Sequence, residues 1–106
     1  MGFCYPGRGR SGDLPPRKEC ADKWMESVRN YLTNIELEIY IGKYACDHEF
    51  GTYGTLTSLV KKQYRSKDGK IVLPHPSPRN NIWLAKNSWF EKDAIPYIKR
   101  KAKKYL

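Results

Sequence analysis

Lys67-Asp68-Gly69-Lys70-Ile71-Val72-Leu73-Pro74-His75-Pro76-Ser77-Pro78-Arg79-Asn80-Asn81 is the stretch on which the fold turns. Residues 67–70 carry turn signals, and residues 71–73 are a short apolar run that reads as a buried strand. Pro74, Pro76 and Pro78 follow. Each fixes its own φ and pushes the residue before it toward extended backbone, so neither a helix nor a strand interior can continue there. The strand therefore delivers a stiff, exposed loop that carries an imidazole, a hydroxyl and a guanidinium. A loop held in advance loses little freedom on binding, and these groups suit a polyanion, with nucleic acid the first partner implied. Taken as anonymous spacing, the prolines could equally end a strand beside an ordinary surface histidine.

Outward from this loop, the pattern alternates helix and strand. Trp24, Val28, Tyr31 and Leu32 recur at helical spacing within residues 21–33 and predict an amphipathic helix whose stripe packs into the core. Ile35, Leu37, Ile39 and Ile41 alternate with Glu36, Glu38 and Tyr40, the period of a strand over residues 35–42, with both glutamates on its solvated face. Leu56, Leu59 and Val60 mark a short helix within residues 55–64. A helical turn follows Asn80, and Ser88 with Glu91 reads as a capping box that starts a final helix near Trp89. Pro96 should kink or interrupt that helix. Residues 2–5 read as a strand end before a Gly- and Pro-rich loop. The order strand, helix, strand, helix, strand, helix predicts an α/β class, a three-layer α/β/α arrangement around a short parallel sheet, within one domain spanning residues 1–106.

Bulk properties narrow the function. Apolar residues at 40% and charged residues at 29% match an ordinary globular chain, and no apolar run approaches the roughly 20 residues of a membrane span. Twenty Lys and Arg against eleven Asp and Glu give +9, which favours an anionic partner. Lys99, Arg100, Lys101, Lys103 and Lys104 supply five of those charges, so removing them from +9 leaves +4. Basic residues at a helix end also offset its dipole, so this tail has a purely structural reading too. With no secretory signal visible and an odd number of cysteines, a reducing cytoplasm is the expected compartment. The loop around Arg8, Arg10 and Arg17 lacks the Gly-Lys-Ser/Thr ending of a nucleotide P-loop. Cys46, Asp47, His48 and Glu49 are metal-ligand types, but without a second pair at finger-like spacing they argue against zinc.

Behind the proline loop, Ile82-Trp83-Leu84-Ala85-Lys86-Asn87-Ser88-Trp89-Phe90-Glu91 sets two tryptophans and a phenylalanine close after a basic turn. Together with His75-Pro76-Ser77-Pro78 at a strand end, this resembles the uracil-DNA glycosylase superfamily, whose second active-site motif is a His-Pro-Ser-Pro type loop. Gly2-Phe3-Cys4-Tyr5-Pro6-Gly7, Gly12-Asp13-Leu14-Pro15-Pro16-Arg17 and Glu19-Cys20 resemble its iron-sulfur branch. In that branch two cluster cysteines are separated by fifteen intervening residues, as Cys4 and Cys20 are. The likeness covers most of the chain, and it is the likeness of a part. A first motif that orients the attacking water, and a further Cys-x-x-Cys pair, lie upstream in the family of the point where this chain starts, so the chain looks like the carboxyl-terminal portion of such an enzyme.

The resemblance implies removal of uracil from DNA by hydrolysis of its N-glycosidic bond, for base excision repair after the nucleotide is flipped out of the duplex. His75 would be the catalytic donor to a uracil oxygen. Pro76, Ser77, Pro78, Arg79 and Asn80 would hold DNA, with Arg79 at the position where relatives insert a side chain into the duplex. Cys4 and Cys20 would be two of the four thiolates of an iron-sulfur cluster. The alternative is a catalytically inactive DNA-binding fragment that lacks the amino-terminal water-activating motif, with a missing strand leaving a sheet edge open to self-association. A small basic domain whose proline loop binds protein is the reading from a different class. Uracil-containing DNA is the expected partner, and no membrane is expected.

Overall fold

Gly69 makes the turn that launches the strand leading into the proline loop, at φ +76°. Asp68 Oδ1 accepts the Lys70 N–H at 3.0 Å, and the Gln63 side-chain amide donates to the Lys70 carbonyl at 2.9 Å. A computed structural model describes residues 2–106, so Met1, which the single-domain expectation includes, lies outside the described residues. The chain divides into two compact units, the first ending at Ile35 and the second spanning Glu36–Leu106.

In the first unit, the strand end expected at residues 2–5 is absent. Phe3 and Cys4 lie in a bend, and Phe3 is half exposed. Pro6 withholds a ladder donor, and pairing occurs instead just beyond it, between β1 (Arg8–Gly9) and β2 (Gly12–Asp13). These form a small antiparallel hairpin with Arg8 opposite Asp13. Leu14 N–H closes it on the Gly7 carbonyl at 2.8 Å, and Tyr5 Oη donates to Asp13 Oδ1 at 3.0 Å. Helix α1 (Lys18–Tyr31) follows. Its helical period was legible, but the expectation that its stripe is core is corrected: Trp24, Val28, Tyr31 and Leu32 are all exposed, and Ala21 is the residue the helix buries. Periodicity reports that one face is apolar, not that it is covered.

The second unit holds the core. Strand β3 (Glu38–Ile41) pairs in parallel with β4 (Lys70–Leu73), in the register Glu38 with Lys70 through Ile41 with Leu73. Helices α2 (Lys43–Phe50) and α3 (Leu56–Gln63) make the crossover, α3 capped by Thr55, whose Oγ1 accepts the Ser58 N–H at 3.2 Å. Ile71 and Val72 are adjacent in β4 and both 0% exposed. Neighbouring side chains of a strand point to opposite faces, so apolar groups cover both sides of β4. Val60, Leu59, Cys46, Phe90, Ala94 and Ile98 belong to the same core. This is the α/β class with a short parallel sheet that the sequence predicts.

The phase of β3 is a correction. Tyr40 is the buried residue, edge-on to Phe50 at 5.3 Å, while Ile39 and Ile41 are exposed. Glu38 shares the Tyr40 face and accepts its hydroxyl at 2.5 Å, so it is not a plain solvated carboxylate. Alternation fixes which residues share a face. It does not say which face is inside when a tyrosine ring competes with isoleucine for burial.

The carboxyl-terminal helices frame the loop. A 3-10 turn (Pro78–Asn80) runs into α4 (Asn81–Lys86). The last helix begins at Ser88, one residue before the expected start, so Asn87 rather than Ser88 precedes it and the Ser88–Glu91 capping box does not describe its start. It continues as a π-turn (Phe90–Ala94) and then α5 (Ile95–Lys103). Pro96 has no N–H and would crowd the carbonyl of Lys92 in a regular helix. Widening the turn relieves this, and the Ile95 N–H reaches back five residues to the Phe90 carbonyl.

Candidate functional site

The proline loop leaves the carboxyl end of β4 beside the carboxyl end of β3. The Gly42 N–H donates to the Leu73 carbonyl at 3.0 Å, and a side-chain carbon at Gly42 would lie 3.7 Å from His75 Cβ and Cδ2. Gly42 sits at φ +84°, so glycine both permits the turn into α2 and leaves the imidazole an open flank. Parallel sheets place ligands at the carboxyl ends of their strands, because there the loops converge without backbone continuing past them.

Local hydrogen bonds make the loop a single body. Ser77 N–H donates to the His75 carbonyl at 2.8 Å, Asn80 N–H to the Ser77 carbonyl at 2.9 Å, and Arg79 N–H to Ser77 Oγ at 3.2 Å. The Asn80 side-chain amide also donates to the His75 carbonyl. Ser77 is thus the cap of the 3-10 turn, and because Oγ accepts in that role its own O–H remains a donor. Beneath the loop, the Trp83 ring stands edge-on to Phe90 at 5.3 Å and to Trp89 at 6.0 Å, and Trp83 Nε1 donates to Thr57 Oγ1 at 2.8 Å. The two tryptophans therefore anchor the helices that support the loop.

A cavity of about 590 Å³ opens against this loop, lined by Leu73, Pro74, His75, Pro76, Ser77, Pro78, Asn80, Asn81, Leu84, Phe90, Glu91 and Ile95. Of the loop residues expected to act, His75, Pro76, Ser77, Pro78 and Asn80 meet in it. Arg79 is exposed on the 3-10 turn and is not part of the lining. Glu91 is the contribution missed in the sequence, where it was spent on the capping box. The π-turn was the unread signal, since its cause, Pro96, was plain in the chain. His75 and Glu91 bring a donor-capable imidazole and a carboxyl group to one otherwise largely apolar lining, a setting that suits the polar edge of a planar heterocycle.

The metal readings separate. Cys46 is 0% exposed, and burial pushes its thiol up to about 11, so it is an inert core residue. Its neighbours diverge around α2: Asp47 accepts from Lys43 and from the Tyr53 hydroxyl, and Glu49 pairs with Lys70 at 2.6 Å. Cys4, exposed, and Cys20, half-buried, belong to the first unit. Among the described residues no three ligand-type side chains gather, and Cys4 and Cys20 alone are two of the four thiolates that an iron-sulfur cluster takes. Among these residues, too, no helix is long and apolar enough to cross a membrane.

The histidine loop at the strand ends, the cavity against it and the aromatic pair beneath all fall within one contiguous match: the sequence pattern of the uracil DNA glycosylase superfamily covers residues 3–99, and the chain belongs to that superfamily.

Proposed function

We propose that the protein hydrolyses the N-glycosidic bond of uracil in DNA, with the extruded base received in the cavity against the proline loop. The observation that carries this reading is the convergence of His75, Ser77 and Asn80 on one cavity at the carboxyl ends of β3 and β4. Water adds to the sugar carbon C1′ as the bond to uracil N1 breaks. The base leaves with the electron pair as an anion and takes up a proton, and the water gives one up. An imidazole N–H from His75 to a uracil oxygen is worth most when that oxygen carries the developing charge, and removing such a donor costs about 10²- to 10³-fold in rate.

Ser77 donates its free O–H to a backbone phosphate, Pro76 and Pro78 hold the loop stiff as it presses the strand, and Asn80 locks the loop through the His75 carbonyl. Arg79, exposed beside them, contacts the DNA as a planar cation that can stack on bases or pair with phosphate.

The test is excision from a labelled oligonucleotide carrying one uracil, read by alkaline strand scission, for the wild type and His75→Ala. Cleavage that falls at least a hundredfold in the variant supports the assignment. Undiminished cleavage by His75→Ala removes His75 from the chemistry. A folded wild type that binds the oligonucleotide and leaves it intact is a DNA-binding protein without turnover.

A further inference from the structure

A second cavity, of about 510 Å³, is lined by Ser66, Lys67, Tyr97, Arg100, Lys101 and Lys104. Four cations and two hydroxyl-bearing residues share it, and among the described residues no lining group is acidic. The nearest carboxylate in sequence, Asp68, is turned to Gln63 and to the Lys70 N–H. Three of the cations belong to the end of α5, where the helix dipole alone would account for them. Lys67 does not: it comes from the turn between α3 and β4, and the dipole offers no reason for it to join them. The junction is fixed, because Lys101 Nζ donates to the Ser66 carbonyl at 2.6 Å. Tyr97 is held edge-on to Tyr64 at 5.8 Å, with the Arg100 guanidinium 5.8 Å from its ring.

Bringing like charges from two chain segments into one concavity raises the energy of the free protein, and an anion offsets it. The groups are those that meet phosphate oxygens in contacts blind to base sequence: lysine as a point charge, arginine as a fork, hydroxyls as short-range donors. From these features we propose that this cavity is a second anion site, taking phosphodiester groups of the nucleic-acid backbone and widening the footprint of the chain beyond the proline loop. The proposal rests on the reading of the chain as a DNA-acting protein. A polymer held at the proline loop keeps its further phosphates near the chain, so weak, salt-sensitive contacts can add to its binding.

The experiment is fluorescence anisotropy of a labelled duplex without uracil, titrated with the full chain between 50 and 200 mM salt. Wild type is compared with Lys67→Gln/Arg100→Gln/Lys104→Gln, which leaves the Lys101 bond intact, and circular dichroism verifies that both are folded. Losing two to three phosphate contacts should flatten the slope of log K against log salt by about 2 and weaken binding about tenfold or more at 100 mM. An unchanged slope, or no measurable binding by the folded wild type, overturns the proposal. Free phosphate is the competing source of the same chemistry. If inorganic phosphate displaces the duplex from wild type far better than chloride at matched ionic strength, and does not do so from the triple variant, the ligand is a free anion and the polymer assignment falls. Uracil excision by the wild type, measured separately, reports on the proline-loop cavity, so each reading can fail while the other stands.

Discussion

Gly69→Ala is the sharpest test of how the strand that carries His75 is held. An alanine Cβ there would sit 2.6 Å from the backbone carbonyl oxygen of Glu36, at a residue whose φ is +76°. The left-handed backbone costs a residue with a Cβ about 1–2 kcal/mol. The clash cannot be relieved by rotating a side chain, because the Cβ is fixed by its own backbone and the atom it meets is a main-chain oxygen. Moving them apart stretches the bond from Glu38 N–H to the Gly69 carbonyl, 2.8 Å long, which starts the parallel pair. Such a bond contributes about 1 kcal/mol net. The sum is roughly 2–3 kcal/mol, a large share of the ~5–15 kcal/mol that holds a typical domain together. Urea unfolding followed by circular dichroism should show a lower midpoint at unchanged slope. Gly54→Ala is the internal control, since Gly54 also has positive φ, at +79°, and a Cβ there meets only Ser58 Oγ, at an ordinary 3.7 Å. It should lose only the backbone part, about 1–2 kcal/mol. Equal losses at the two positions would refute the close-approach argument, and a loss below about 0.5 kcal/mol at Gly69 would refute the conformational one as well.

Ser77→Asp separates the two uses of that side chain. It keeps a capping acceptor for the Arg79 N–H, so the melting temperature should hardly change, while repulsion from phosphate should weaken DNA binding at low salt; equal binding would remove Ser77 from the interface. Tyr53, pushed up to about 12 chiefly by its hydrogen bond to Asp47, should titrate late in the ultraviolet phenolate signal, and Asp47→Asn should bring it back toward 10. Because its folded value lies above the ordinary one, its stabilisation is complete below about pH 10 and disappears as pH rises through about 12. Lys70, raised mainly by its hydrogen bond to Glu49, acts in the same direction, whereas Asp47, lowered first by Lys43, stabilises above the ordinary carboxylate range and is lost as pH falls through its depressed value. Thermal melts should therefore worsen at both extremes, and a flat profile above pH 10 would contradict the Tyr53 and Lys70 assignments. Cys46 should resist a thiol reagent until denaturant is added, and Cys4 should react in the native protein; prompt labelling of Cys46 would place it outside the core.

What could be read in advance follows a physical divide. Proline chemistry is local, so the stiff loop after β4 and the disturbance near Pro96 were both legible, though not that the disturbance would take the form of a π-turn. The capped helix α3 was legible for the same reason: Thr55 and three apolar residues at helical spacing act within one segment. Burial is not local. Trp24 and Ile39 look like core residues in any pattern, yet both are exposed, and Tyr40 took the inward place because of a contact with Phe50, ten residues on. Helix α2 was missed because Lys43–Phe50 has no clear apolar stripe, and its markers are two glycines of positive φ, Gly42 before it and Gly51 after. At the cavity, the loop residues were found because they are contiguous. Glu91 was not, since only the path of the last helix brings it there.

The two proposed roles ask different things of the scaffold. A donor that must meet a charge as it develops tolerates little error, and a displacement of about 1 Å can cost a hundredfold in rate. His75 stands two residues beyond Leu73, at the end of the strand whose Ile71 and Val72 are fully buried, with prolines on either side and its carbonyl taken by both Ser77 and Asn80. Electrostatic attraction to a phosphate declines gradually with distance, so a lysine on a flexible stem does as well from several positions. Lys67 and Lys104 are exposed, on a turn and at a helix end. Stiffening the loop further should therefore leave phosphate contacts at the second cavity indifferent, while any change that loosens β4 should be felt first at His75.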